Sequence, residues 1–400
     1  MWRDPVSLDY AVDSEGTPFG VTSSTSPHVG PGPARDVRTV GVEEEFLLIG
    51  ADGVTAGVAP RVLGPDDGDS LTAQADGEVG AELNREQLET GSAPHTSLSA
   101  LRESLVELRR AAAEAALAEG AALAATATSP IPAEPTVTAK GRYERMRAEF
   151  GLTAREQLTC GCHVHVAVSS PSEAIGALDR ARPDLALLVA LSANSPFWHG
   201  EDTGYASYRT QIWQRWPTAG ATGAFGTPEC YDQVVADLIA SGAALDEGMI
   251  YFDARPSRHY PTLELRVADV CLSVDEAVLV AALGRALVTT AAERWAAGEA
   301  VPDVRPEQLR AASWRAARYG LSGPLLDVER GELVAPRVLV DRLVERVRPA
   351  LVTAGDLDVV TGLVDDVFAH GDGARRQRAA YARRGELKDV VELVVRETVA

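Results

Sequence analysis

Four stretches of this chain read as β-strands, residues 39–49, 76–83, 159–168 and 260–270, the last three with polar residues at alternate positions. The first is the most telling. Thr39-Val-Gly-Val-Glu-Glu-Glu-Phe-Leu-Leu-Ile49 sets three consecutive carboxylates in an otherwise apolar run. A strand alternates its faces, so Glu43 and Glu45 point one way while Val42, Glu44 and Phe46 point the other. Elsewhere the period is helical. Leu98, Leu101, Leu105 and Leu108 recur at a spacing of three to four within the alanine-rich stretch 97–125. Residues 173–192, 229–246, 274–298, 305–318, 336–353, 356–370 and 374–398 also read as helices, separated by Gly or Pro signals. Residues 1–36, rich in Ser, Pro, Gly, Thr and Asp without periodicity, read as a disordered N-terminal tail. The pattern predicts an α+β fold over residues 37–400 as a single domain. A largely antiparallel sheet forms its first two thirds, helices pack around the sheet, and the C-terminal third is helical.

Composition narrows the function. A chain of 400 residues with 46% hydrophobic content can bury a large core. A net charge of −20 argues against a nucleic-acid surface, which needs a basic stripe. No apolar run reaches the ~20 residues of a membrane helix. The opening Met-Trp-Arg-Asp-Pro-Val-Ser shows no secretory pattern, so a cytoplasmic location is expected. Four cysteines, Cys160, Cys162, Cys230 and Cys271, are too few for a disulfide framework in a chain of this length. Lys140 and Lys388 are the only lysines, so arginine supplies almost all of the positive charge.

The polar positions on the strands carry the candidate chemistry. Glu43 and Glu45 read either as the acidic outer face of a solvated edge strand or, since the flanking residues are apolar, as a half-buried pair whose repulsion and lost solvation a cation or a shared proton must offset. The segment Gly80 to Thr90 adds Glu82 and Glu89, which face the same centre if the chain bends between them but equally suit the exposed side of a helix. In Cys160-Gly-Cys-His-Val-His-Val166, alternation puts His163 and His165 on one face, roughly 7 Å apart, and both cysteines on the other. The cysteines therefore read as small core residues rather than zinc ligands, and the histidines as either a pocket pair or a hydrogen-bonded core pair. In Tyr260-Pro-Thr-Leu-Glu-Leu-Arg-Val267, Glu264 and Arg266 share the face opposite Leu263, Leu265 and Val267. They form either a cross-strand ion pair or a cation ligand beside a phosphate clamp. The aromatic stretch 197–216 shapes a pocket or plugs a core. An oxygen-rich donor set with few imidazoles favours Mg²⁺ or Mn²⁺ over Zn²⁺. Carboxylates with an arginine suit phosphoryl transfer, and since no Gly-x-x-x-x-Gly-Lys-Ser/Thr loop occurs, metal and sheet would hold a nucleotide.

Five motifs then occur in a telling order: Gly41-Val-Glu-Glu-Glu-Phe46, the Glu82 to Glu89 segment, His163-Val-His165, Ser192-Ala-Asn-Ser-Pro196 and Leu263-Glu-Leu-Arg266. Together they resemble the type 2 glutamate–cysteine ligase family of carboxylate–amine ligases, over roughly residue 38 to the C-terminus. The resemblance implies a glutamine-synthetase-like antiparallel sheet funnel, ATP with Mg²⁺ or Mn²⁺, an acyl-phosphate intermediate and a homodimer. It implies Glu43, Glu45, Glu82, Glu89, His163 and Glu264 as metal ligands. Arg266 is implied as the catalytic arginine on the transferred phosphate, acting with Glu43, and Arg209 as a substrate-carboxylate arginine; His165 is assigned to the substrate side. Glu44 faces away and is left out. The expected reaction is ATP-dependent amide formation, nominally of γ-glutamylcysteine and weakly so, from small-molecule acid and amine substrates. A Mg²⁺-dependent phosphotransferase acting on a guanidino or amine acceptor, and a silent nucleotide-binding regulator, are the alternatives.

Overall fold

The computed structural model describes residues 37–64, 77–138 and 141–400; the expected tail over residues 1–36 lies outside them. Seven strands form one antiparallel sheet. They are β1 (Val40–Gly50), β2 (Gly77–Ala81), β3 (Gln87–Ser92), β4 (Ala121–Ala124), β5 (Gly161–Ala167), β8 (Ala254–Pro256) and β9 (Thr262–Asp269); Phe197–Trp198 (β6) and Glu201–Asp202 (β7) make a separate short hairpin. The order is β2-β3-β1-β5-β9-β8, with β4 beside the second half of β1. Pro256 lies on the edge strand, where its missing N–H costs no ladder bond.

Alternation along these strands gives the sheet two unlike faces. Val40, Val42, Val164, Val166, Leu263 and Leu265 enter a core shared with Leu101 and Leu105 of helix Leu98–Ala118 and with Leu279, Leu283 and Leu287 of helix Val274–Ala296. The second helix opens on a capping box, Ser273 with Glu276, and is buried almost all round. Gly284 lets it come close, because a Cβ there would stand 3.0 Å from Leu265 and 3.3 Å from Val164. A second core, around Phe46, Leu47, Leu48, Leu88 and Leu123, closes the far end of β1. Burying a side chain such as Phe46 is worth about 1.5–3 kcal/mol. A third, aromatic cluster of Trp216, Tyr251 and Phe252, with Trp213 and Tyr143 against it, stands apart from these two.

The C-terminal third is helical as expected, over Pro306–Tyr319, Pro336–Ala354, Leu357–His370, Gly373–Arg384 and Leu387–Thr398. The last two replace a single expected helix over 374–398, because Gly385 takes φ +75° and ends the first. The α+β architecture with its antiparallel sheet is the one the pattern predicts. Among the described residues no helix is long and apolar enough to cross a membrane.

Candidate active site

Strand register assembles the polar face. Across antiparallel pairs, directly opposed residues project to the same side. Glu43 pairs with His163, Glu45 with Glu89, His165 with Glu264, and Glu264 with Arg255. One bulge interrupts the ladder: Val164 faces Leu265 but Cys162 faces Ala268, so Arg266 and Val267 together oppose His163. Gly161 supplies the room beneath this point, since a Cβ there would lie 2.4 Å from Arg209 and 3.0 Å from His163. Glu82 follows directly after β2.

These side chains meet in one cavity of about 340 Å³ that Glu43, Glu45, Glu82, Glu89, His163, His165, Glu264 and Arg266 all line. Two groups of donor atoms lie within 4.8 Å of one another: Glu43, His163 and Glu264, and Glu45, Glu89 and His163. Glu43 contacts His163 Nδ1 at 3.4 Å and His165 Nε2 at 3.2 Å. The Gly161 N–H donates to Glu45 at 2.6 Å, and the Leu83 N–H to Glu82 at 2.7 Å. His163 Nε2 is buried with no hydrogen-bond partner, and a carboxylate oxygen of Glu45 stands 3.9 Å from it. An orphaned imidazole nitrogen among carboxylates fits a cation ligand. A neutral imidazole offers one free lone pair, so His163 can complete one group and the other must rely on carboxylates.

The electrostatics show what the pocket lacks. Burial, then the charge of Glu45, push Glu82 up to about 7. Burial, then Glu82 and Glu43, push Glu89 well above the usual carboxylate range. Glu43 goes the other way: burial opposes ionisation, but hydrogen bonds from His163 and His165 outweigh it. Glu264 falls to about 2 against its burial, because Arg266 and Arg255 stand beside it. Burial and then Arg266 lower His163, whereas in His165 the contact with Glu43 overcomes burial and raises it. Carboxylates outnumber the cations that serve them, which is the imbalance a divalent ion corrects.

A second cavity, of about 480 Å³, shares Glu43, Glu89, His165 and Tyr260 with the first. Its other walls include Gly41, Val42, Gly91, Ala93, Pro94 and Pro261, and among the described residues no arginine or lysine lines it. The first cavity holds four arginines: Arg142, Arg255, Arg258 and Arg266.

Of the expected site residues, Arg209 alone is not brought into the cavity. It is 2% exposed, its guanidinium caps the Arg266 and Val267 carbonyls at 3.3 and 3.4 Å, and it stacks near Trp213. It thus stands behind the floor, holding the bulge from which Arg266 projects. Glu44 faces away as alternation requires, buried in a pair with Arg109 at 2.5 Å. The cysteine reading also matches, Cys160 and Cys162 both being buried in the cores. Of the aromatic stretch 197–216, only Trp213 and Trp216 reach the first cavity. The Ser192–Pro196 motif is structural: the Asn194 N–H and the Ser195 hydroxyl donate to buried Asp269, and Asn194 Nδ2 to the carbonyls of Ala125 and Val270. Sequence reasoning missed Arg255, Arg142, Tyr143 and Tyr251. For Arg255 the one usable signal is Pro256 beside it, which marks an edge strand.

Three kinds of comparison bear on this geometry. Residues 39–393 match the family model described as glutamate–cysteine ligase family 2. A Frankia alni protein bearing the provisional name glutamate–cysteine ligase 2-2 is 68% identical over 372 residues, 90% of this chain and 97% of the relative. A Streptomyces avermitilis protein with the similarly provisional name glutamate–cysteine ligase 2-1 is 47% identical over 366 residues, 90% of this chain and 99% of its own. Among solved structures, Francisella tularensis glutamate–cysteine ligase in complex with AMP superposes with a TM-score of 0.68. That match covers 90% of this chain and 88% of the other; at 14% identity it is a likeness of fold.

Proposed function

The chain belongs to glutamate–cysteine ligase family 2, and from that premise we propose that it joins a carboxylate to an amine at the expense of ATP, through an acyl phosphate. The carrying observation is the meeting of Glu43, Glu45, Glu82, Glu89, His163 and Glu264 in one cavity with Arg266. Those six residues would hold Mg²⁺ or Mn²⁺, which supplies charge neutralisation at the nucleotide phosphates. Arg266, buried on the bulge, aims its guanidinium into the same cavity and offsets charge on the transferred phosphoryl oxygens. The cavity with four arginines suits the acid and the phosphates. The cavity without any suits the uncharged purine, with Tyr260 and His165 between the two.

In this reading the acid's carboxylate attacks the γ-phosphorus in line, ADP leaves, and the amine attacks the resulting acyl phosphate to release phosphate. Exclusion of water protects the mixed anhydride, and Trp213, Trp216 and Tyr251 supply an apolar wall. The nominal pair is the γ-carboxylate of glutamate and the amine of cysteine. A phosphate-release screen crossing acids against amines tests the proposal: release must require both. A stable phosphorylated product from one acceptor would make the protein a phosphotransferase, and ATP binding without any ADP would make it a regulator.

A further inference from the structure

Every arginine of the first cavity is already spoken for. Arg142 pairs with Asp246 at 2.8 Å, Arg258 with Glu247 at 2.9 Å, and both Arg255 and Arg266 with Glu264. Of these acceptors only Glu264 also belongs to a candidate cation group, with Glu43 and His163. Its two oxygens are therefore claimed twice. Arg255 Nε donates to Oε2 at 2.8 Å and Nη2 to Oε1 at 3.4 Å, while Arg266 Nη1 takes Oε1 as well. Three of the roughly four lone-pair sites of this buried carboxylate are thus taken, so an ion that binds it must share it with two guanidinium charges.

Resting on the reading above, we propose that the cation and Arg255 compete for Glu264, so that cation capture releases the Nε–Nη2 edge of Arg255 to receive a carboxylate of the acid substrate. The strand register presets this exchange, since Arg255 and Glu264 stand directly opposite each other on β8 and β9. Arg255 keeps a second anchor when it lets go: Nη1 donates to the Ile250 carbonyl at 2.8 Å, which tethers one end of the guanidinium. Of the two arginines it is the more exposed, at 17% against 9% for Arg266, and it lines the cavity beside Glu264. A planar fork held in place matches a carboxylate in two parallel hydrogen bonds. A bound cation therefore favours binding of the acid, with no hinge or lid needed.

Coupling of this kind is reciprocal. Calorimetry with Mn²⁺ and L-glutamate as probes, without ATP, should show glutamate binding about tenfold tighter when Mn²⁺ is present, and Mn²⁺ tighter by the same factor with glutamate. In Arg255→Gln, Mn²⁺ should bind about threefold tighter or more, a competing cation having been removed, while glutamate weakens and loses its dependence on the metal. Arg255→Lys keeps the charge without the fork, so its Mn²⁺ affinity should return toward the parent value while glutamate stays weak. A merely structural arginine would weaken both ligands on removal. Unchanged or weaker Mn²⁺ binding in Arg255→Gln, with a thermal midpoint matching the parent protein, overturns the proposal. If the parent protein binds no glutamate, the acid assignment fails, yet the Mn²⁺ shift still decides whether Arg255 and the cation compete.

Discussion

Glu43, Glu44 and Glu45 are chemically alike and adjacent, yet they meet three environments. Glu43 lies between two imidazoles, Glu45 accepts from the Gly161 backbone, and Glu44 is sealed behind the sheet with Arg109. Arg109 also donates to the Cys271, Leu272 and Thr398 carbonyls, so removing Glu44 strands a buried charge amid acceptors that cannot replace it. Glu44→Ala should cost about 3–5 kcal/mol in urea denaturation, the range for breaking one partner of a buried pair. Glu89→Gln should do the opposite. It relieves repulsion from Glu82, Glu43 and Glu45, so the midpoint without metal holds or rises while Mn²⁺ binding, read by calorimetry, weakens. Asp253 gives a pH signature. Burial, only partly offset by Arg209, raises its carboxyl to about 6. The folded chain thus holds that proton more tightly than the unfolded one. Its contribution is fully present below the ordinary carboxylate range and is lost as pH rises through about 6. Asp253→Asn should therefore raise the thermal midpoint at pH 8 and change it little at pH 4. Equal changes at both would assign the effect to packing.

Elements whose pattern has one period along their length were the legible ones. The strands expected at 39–49, 159–168 and 260–270 appear as Val40–Gly50, Gly161–Ala167 and Thr262–Asp269, and helix 274–298 as Val274–Ala296. Four of the six expected cation ligands, Glu43, Glu45, His163 and Glu264, lie on those strands, where alternation decides their face, whereas Glu82 and Glu89 are implied by the family resemblance. What stayed hidden depends on pairing between distant segments. Ala121–Ala124 reads as the end of an alanine-rich helix, but Gly120 at φ +77° stops the helix and β1 has a free edge to fill. The segment Glu82 to Glu89 is a bend entering β3, which the register with β1 makes a strand. Arg255 has no periodic neighbourhood, and only its pairing with Glu264 gives it a role. The Ser192–Pro196 motif shows the converse: a conspicuous loop serves the frame. Asp269 accepts from the Asn194 N–H and from the hydroxyls of Ser195 and Ser207, tying the end of β9 to that loop. Asp269→Ala leaves the Asn194 N–H and the Ser195 hydroxyl unpaired, while Ser207 keeps Thr210, and should cost about 2 kcal/mol or more in urea denaturation. A loss under about 1 kcal/mol would mean the bracket is dispensable.

At the scale of the whole molecule, a chain of net charge −20 gathers five carboxylates around one cavity. Self-repulsion of that kind lowers stability, and two influences can relieve it: diffuse screening by salt, or an ion bound among the carboxylates. They differ in concentration dependence. An ion that binds the folded chain alone stabilises it by RT ln(1 + [L]/Kd), about 2.7 kcal/mol at a hundred times Kd, and saturates near the Kd measured by calorimetry. Screening needs roughly 0.1 M ionic strength to act over distances of about 10 Å, and it is indifferent to the identity of the salt. Millimolar Mn²⁺ or Mg²⁺ should therefore raise the thermal midpoint by several degrees where sodium chloride of equal ionic strength does not, and a chelator should reverse the rise. The increment should shrink in a Glu45→Gln, Glu89→Gln double variant, which removes one of the two donor groups. It should survive in Cys160→Ser and Cys162→Ser, whose thiols lie in the apolar cores. A midpoint that follows ionic strength alone would leave the carboxylates as a crowded acidic surface with no ion to organise them, and the functional proposal would lose the cation on which it is built.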